Sequence, residues 1–201
     1  MNERSAGPHL DQALLQAEVS GRYRDILEAA AALFAERGYA ATSVRDIGER
    51  VGLLGGSLYH HIKSKEALFI KIHDLALEAA AVKIKAAVSD QTDPWDRLQA
   101  ACITMLEVEL AADSLTMPLM NDFKSVPAEV RAQLIAKRDE FEKIFESLIS
   151  ALPLASGIDR KVFRLSLLTL LNNVNIWYRP GALSPADIAR QIVTIFHRPS
   201  N

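Results

Sequence analysis

One cysteine, Cys102, stands in 201 residues, so no internal disulfide can form and no set of thiolates can hold a metal. No apolar run suits a membrane span, because the richest stretch, 165–178, is interrupted by Asn172, Asn173 and Asn175. Alternating β-branched runs, repeats and low-complexity tracts are all missing. Charge of one sign is not in excess either: 23 basic residues face 25 acidic ones, a net of −2, which gives no global hint of a polyanionic partner. The N-terminus has no apolar core behind a basic start, so no signal peptide is expected, and the lone cysteine makes the cytoplasm the expected location. What is present is core material: 49% hydrophobic and 24% charged residues suit one or two compact domains.

Nearly every local signal reads helix, which makes the expected class all-α. Ile26, Ala30, Leu33 and Phe34 fall at helical spacing between Arg22 and Arg37, and Gly38 supplies a stop. Ser43 to Asp46 spells a capping box for a short helix through Val51, which Gly52 ends. A third short helix is expected from Gly56 to Ile62, then a long one from an N-cap at Ser64 to Val88. Further on, Asp93-Pro94 opens a helix to Ala112, and a broken segment follows around Met117 to Lys124. Pro127 starts a helix reaching Leu152, Asp159 caps one to Tyr178, and the Ser184–Asp187 box opens the last. Residues 1–20 are expected to form a frayed tail.

The stretch Gly55-Gly-Ser-Leu-Tyr-His-His61 carries the chemistry. A phosphate-binding loop would need a lysine after the second glycine, and Ser57 stands there. A metal site on a helix wants ligands four residues apart; His60 and His61 point about 100° apart, and Ser64 and Ser57 occupy their partner positions. A nucleophile elbow would need a glycine where Tyr59 stands, and a strand before it. Two short helices joined by a tight turn through Gly52 do fit a helix-turn-helix. Ile47, Val51 and Leu58 then face inward, leaving Arg45, Ser57, Tyr59 and His60 near one outer surface. Tyrosine, histidine and lysine donate to phosphate oxygens, and glycines let a recognition helix approach a groove closely. Eight basic residues against six acidic ones between Arg22 and Lys71 leave a small local surplus. The competing reading is that Tyr59 and His61 merely pack this helix on its neighbours.

As a connected set, Ala41-Thr-Ser-Val-Arg-Asp-Ile47, Val51-Gly52, Gly56-Ser-Leu-Tyr-His-His-Ile62 and Lys65-Glu-Ala-Leu68 resemble the N-terminal signature of the TetR family of bacterial transcriptional regulators. The resemblance implies a helix-turn-helix DNA-binding domain over 21–68 and a helical ligand-binding and dimerisation bundle over 69–201. It implies phosphate contacts at Tyr59, His61 and Lys65, and a place in or near the major groove for Arg45, Gly55, Ser57 and His60, with Ser43 and Gly56 beside them. Leu54 stands where a capping serine is common, and Gly55 where a lysine or similar polar residue is common. Base readout must therefore lean on Arg45, Ser57 and His60. A second echo, Asn175-Ile-Trp-Tyr-Arg-Pro-Gly181, is similar to a subgroup of repressors of fatty-acid and steroid catabolism that respond to acyl-coenzyme A thioesters.

On this reading the protein is a repressor that binds a near-palindromic operator on double-stranded DNA as a homodimer and releases it on binding an apolar effector such as an acyl-coenzyme A. The homodimer is expected through the last two helices. Candidate ligand contacts are Met105, Glu109, Met120, Phe123, Phe141, Phe145, Asn172, Asn173 and Trp177, chosen as adaptable apolar walls with a few polar groups. Arg131, Lys137, Arg138, Arg160, Lys161 and Arg164 are candidate phosphate receivers, although charged helix faces are ordinarily just solvated. No cofactor, metal or membrane partner is expected. The alternative is a small helical enzyme using a carboxylate such as Glu109 as acid or base, but no nucleophile, metal set or cofactor loop accompanies it.

Overall fold

The computed structural model describes residues 21–53, 55–111, 125–181 and 183–197, and every regular element in them is an α-helix. In chain order these are α1 (Gly21–Ala41), α2 (Val44–Arg50), α3 (Gly55–Leu58), α4 (Lys65–Ser89), α5 (Pro94–Glu109), α6 (Ala128–Ser150), α7 (Arg160–Asn172), α8 (Val174–Trp177) and α9 (Pro185–Phe196). Two compact units divide them, with boundaries inside α4 after Ala79 and inside α6 after Arg138. The tail at 1–20 and the broken segment at 117–124 lie outside the described residues.

The first unit holds α1 to α3 and the starts of α4 and α6. Its core joins Ile26, Leu27, Phe34, Ile47, Leu58, Phe69 and Ile72, all at most 1% exposed. Burying each such side chain contributes roughly 1.5–3 kcal/mol before conformational entropy is set against it. Val126, Val130 and Leu134 join the same cluster, so the start of α6 serves this unit. Phe34, Tyr39 and Phe69 form an aromatic knot, with Phe69 edge-on to the other two at 5.0 and 4.8 Å between centroids. Gly38 adopts φ 81° and ψ 164° inside α1, a backbone region closed to side-chain-bearing residues, and there the helix kinks.

The second unit contains the rest of α4 and α6 with α5, α7, α8 and α9. Cys102, Leu106, Phe145, Leu167, Leu171, Ile188 and Ile192 belong to its core. α9 packs chiefly on α5 and also on α7. Burial pushes the Cys102 thiol up to about 12, so it stays protonated at neutral pH and is an apolar filler rather than a nucleophile.

Two expected helices are shorter than their sequence patterns. α3 closes at Leu58 and continues as turns, with His61 N–H donating to Leu58 O at 2.9 Å. Two leading glycines weaken helix propagation there. The helix expected from Asp159 to Tyr178 breaks at Asn173, whose side-chain amide takes the Thr169 carbonyl at 2.7 Å. That carbonyl is the one the regular ladder would use for the Asn173 backbone N–H.

Candidate nucleic-acid interface

The helix-turn-helix is built from capping and one tight turn. Ser43 Oγ accepts from Asp46 N–H at 3.1 Å, while the Asp46 carboxylate accepts from Ser43 N–H at 2.8 Å and from its hydroxyl at 2.6 Å. This reciprocal box opens α2 and holds the Asp46 carboxyl below the usual carboxylate range, chiefly through the Ser43 hydroxyl. At the other end Gly52 takes φ 69°, and Leu53 N–H returns to Gly48 O at 2.8 Å. Arg50 clamps Glu36 on α1 with two bonds of 3.2 and 2.9 Å, fixing α2 against its neighbour.

On that scaffold Ser43, Arg45, Gly56, Ser57, Tyr59, His60 and His61 are all exposed. Tyr59 is 58% exposed, although an aromatic of its size would be buried if it served packing alone. Arg45 leaves 85% of its side chain in solvent and pairs with Glu49 at 2.7 Å. Gly55 stands at the start of α3. A recess of about 370 Å³ beside them is lined by Ala40 to Val44, Tyr59, Ser64, Lys65 and Glu66. The N-terminal ends of α2 and α4 meet there, and both ends favour anions.

Lys65 makes its contacts within the protein. Its ammonium donates to the carbonyl oxygens of Tyr39 and Thr42, each at 2.9 Å, and is half-buried.

Among the described residues, those expected to hold a ligand differ in their surroundings. Met105 and Phe145 lie in the closed core of the second unit with Phe141 packed against it. Glu109 is buried on α5, and Asn172 is half-buried. Asn173 is exposed and occupied with Thr169, and Trp177 is 56% exposed. Met120 and Phe123 lie outside the described residues. A cleft of about 800 Å³ in this unit is lined by Trp95, Leu154, Ile158, Val162, Phe163 and Phe196 among others, and by none of the expected ligand residues. Sequence spacing missed it because its walls come from α5, α7, α9 and the loop before α7.

Four of the expected phosphate receivers are engaged on the protein itself. Arg160 donates to the carbonyls of Ile149 and Leu152 at the end of α6, and Arg164 pairs with Glu146 at 2.9 Å. Lys137 pairs with Asp74 at 2.7 Å, and Arg131 reaches Val126 O.

Among the described residues no group of acidic, histidine or cysteine side chains could hold a metal, and no helix is long and apolar enough to cross a membrane. Comparison with known proteins settles the kinship. Residues 26–72 match the model for bacterial regulatory proteins of the tetR family, and residues 91–199 match a tetracyclin repressor-like C-terminal domain. The HTH-type transcriptional repressor KstR2 of Rhodococcus jostii (strain RHA1) is 34% identical over 183 residues, covering 88% of this chain and 89% of that one. KstR2 of Mycobacterium tuberculosis (strain ATCC 25618 / H37Rv) is 29% identical, covering 89% and 92%. Among solved structures, AibR in complex with isovaleryl coenzyme A and operator DNA superposes with a TM-score of 0.74 at 27% identity, covering 87% of this chain and 97% of that one. The acid–base role weighed for Glu109 falls with this kinship, because the family and these relatives are regulators of transcription and not enzymes. With an exposed helix-turn-helix, a helical second unit and both halves matched, this chain belongs to the tetR family of bacterial regulatory proteins.

Proposed function

We propose that the protein is a repressor that binds a near-palindromic operator as a homodimer and releases it when an apolar acyl-coenzyme A binds. The observation that supports an operator and an acyl-coenzyme A as binding partners is the likeness to AibR, solved in complex with isovaleryl coenzyme A and operator DNA. The relatives named KstR2 support the repressor direction. In this reading Arg45, Ser57 and His60 meet base edges, Gly55 lies in or near the major groove with Ser43 and Gly56 beside it, and Tyr59, His61 and Lys65 meet phosphates. Lys65 belongs to the same face.

The homodimer rests on the outer surface of α7 to α9. Phe163, Leu167, Leu168, Leu171 and Val174 are consumed by the chain's own core, yet Val162, Leu165, Leu170, Ile176 and Trp177 remain exposed at helical spacing, with Ile195 beside them on α9. An apolar stripe of that length on a monomer marks an interface. Two copies paired through it make a four-helix bundle with a two-fold axis.

Effector control runs through α4, one unbroken helix with residues in both units. An effector shifts the disposition of the recognition helices only by its differential affinity for the two states, about 5.5 kcal/mol for a full switch from 99:1 to 1:99. Support for a thioester comes from the relatives and the C-terminal echo, and not from the cations of α6 and α7, most of which are already partnered. The test is titration of a panel of acyl-coenzyme A esters into the protein–operator complex, with free coenzyme A as control. Release by one or more esters is expected; release only by an uncharged drug-like molecule sinks the catabolic reading.

A further inference from the structure

We propose that Glu49 is a positioning residue for base readout: it accepts from Nε–H of Arg45 and so presents the two terminal nitrogens of the guanidinium to a guanine. The inference rests on the reading of the DNA contacts given above. Arg45 Nε donates to Glu49 Oε1 at 2.7 Å, one helical turn further along α2. Of the guanidinium donors that bond uses the one on Nε, and it leaves those on Nη1 and Nη2. The Nη1–Nη2 edge of the plane can then meet O6 and N7 of a guanine with two parallel bonds. The other acid beside Arg45, Asp46, is turned to Ser43, from whose N–H and hydroxyl it accepts.

Helix stability does not account for the pair. Arg45 stands in the first turn of α2 and Glu49 in the last, so each charge sits at the end of the helix that disfavours it. A basic residue four positions ahead of an acidic one is also the weaker order of such a pair. Both side chains are mostly in solvent, at 85% and 61% exposure, where an ion pair contributes little to folding. What the contact does is steer a long, rotamer-rich side chain without immobilising it. Readout on this face leans on few side chains, since Gly55 at the start of α3 offers none. Ordering Arg45 in advance lowers the entropic cost of a two-bond contact to a base. The carboxylate also repels the phosphates of any duplex docked on this face, whatever its sequence. Glu49 thereby favours discrimination over raw affinity.

The experiment measures the affinity of the full chain for a duplex selected from a random library by the unaltered protein, and for copies of it altered at one base pair at a time. A non-cognate duplex of equal length reports the sequence-independent part of binding. The variants are Glu49→Ala, Glu49→Gln, Arg45→Ala, and Arg45→Ala combined with Glu49→Ala. A positioning role predicts that Glu49→Ala loses about fivefold in discrimination at the base pair that Arg45→Ala relaxes, and at no other. Glu49→Gln, which keeps an acceptor for Nε–H, retains most of that discrimination. Both Glu49 variants bind the non-cognate duplex more tightly than the parent does. The double variant discriminates no worse than Arg45→Ala alone. Undiminished discrimination in Glu49→Ala overturns the proposal, as does a loss at a base pair that Arg45→Ala leaves untouched. A lower melting temperature of Glu49→Ala with base preference intact makes the pair a support of α2 and overturns it too. Parental discrimination in Arg45→Ala strikes at the assignment of the DNA contacts itself, and the proposal falls with it. Relaxed preference in Arg45→Ala beside parental preference in Glu49→Ala strikes at the positioning alone.

Discussion

Arg45 shows what an exposed residue on this face has to give up to act. Its pair with Glu49 is largely in solvent on both sides and worth little, so the guanidinium can turn to a base edge at small cost. A bidentate contact to guanine contributes about 1–3 kcal/mol of discrimination. Arg45→Ala should therefore lower operator affinity by that amount and relax preference at one base position. Fluorescence anisotropy with duplexes altered one position at a time checks it; unchanged preference at every position would remove Arg45 from the readout. Lys65, twenty residues later and equally basic, is half-buried and donates to two backbone carbonyls beside the Tyr39 ring.

At the scale of elements, capping carries much of the architecture. α2 is seven residues long, too short to persist alone, so its start depends on the Ser43–Asp46 box and its position on the Arg50–Glu36 clamp. Ser43→Ala should lower the melting temperature of the protein by a few degrees at neutral pH. The Asp46 carboxyl is held below its unfolded range, so its contribution is present above the unfolded pKa and is lost as pH falls through the folded one. The gap between parent and Ser43→Ala should accordingly narrow below about pH 4. Calorimetry at pH 7 and pH 3 checks both statements, and a gap that does not change with pH contradicts the second.

For the whole molecule, the consequence proposed for the exposed stripe on α7 is assembly. Leu170 is 43% exposed in its midst, and a charge there would be desolvated in a two-fold contact with its own image nearby. Leu170→Glu should convert a dimer into a monomer in sedimentation at micromolar concentration, with the helical signal retained. Operator binding should then fall to that of one half-site, because two linked half-sites about one helical turn apart no longer share a rigid partner. A parent that sediments as a monomer would refute the dimer outright.

What the sequence by itself determined was local. The all-helical class, the starts at Ser43, Asp93, Asp159 and Ser184, and the stop at Gly52 all follow from hydrogen bonds between residues at most five apart, which spacing and residue type encode directly. The helix-turn-helix signature was legible for the same reason, since its inward and outward positions alternate with the helical turn. Tertiary structure alone decided which of two apolar faces of α7 is buried: Phe163, Leu167 and Leu171 went inward while Val162, Leu165 and Leu170 stayed out. It also brought Val126, Val130 and Leu134 into the core of the first unit, and set Lys65 and Arg160 against backbone carbonyls. Burial of apolar surface is non-directional and falls wherever a complementary surface arrives, and a flexible cation goes to the nearest unpaired acceptor. Neither outcome is written in the spacing of the chain, because both depend on residues more than one helical turn away.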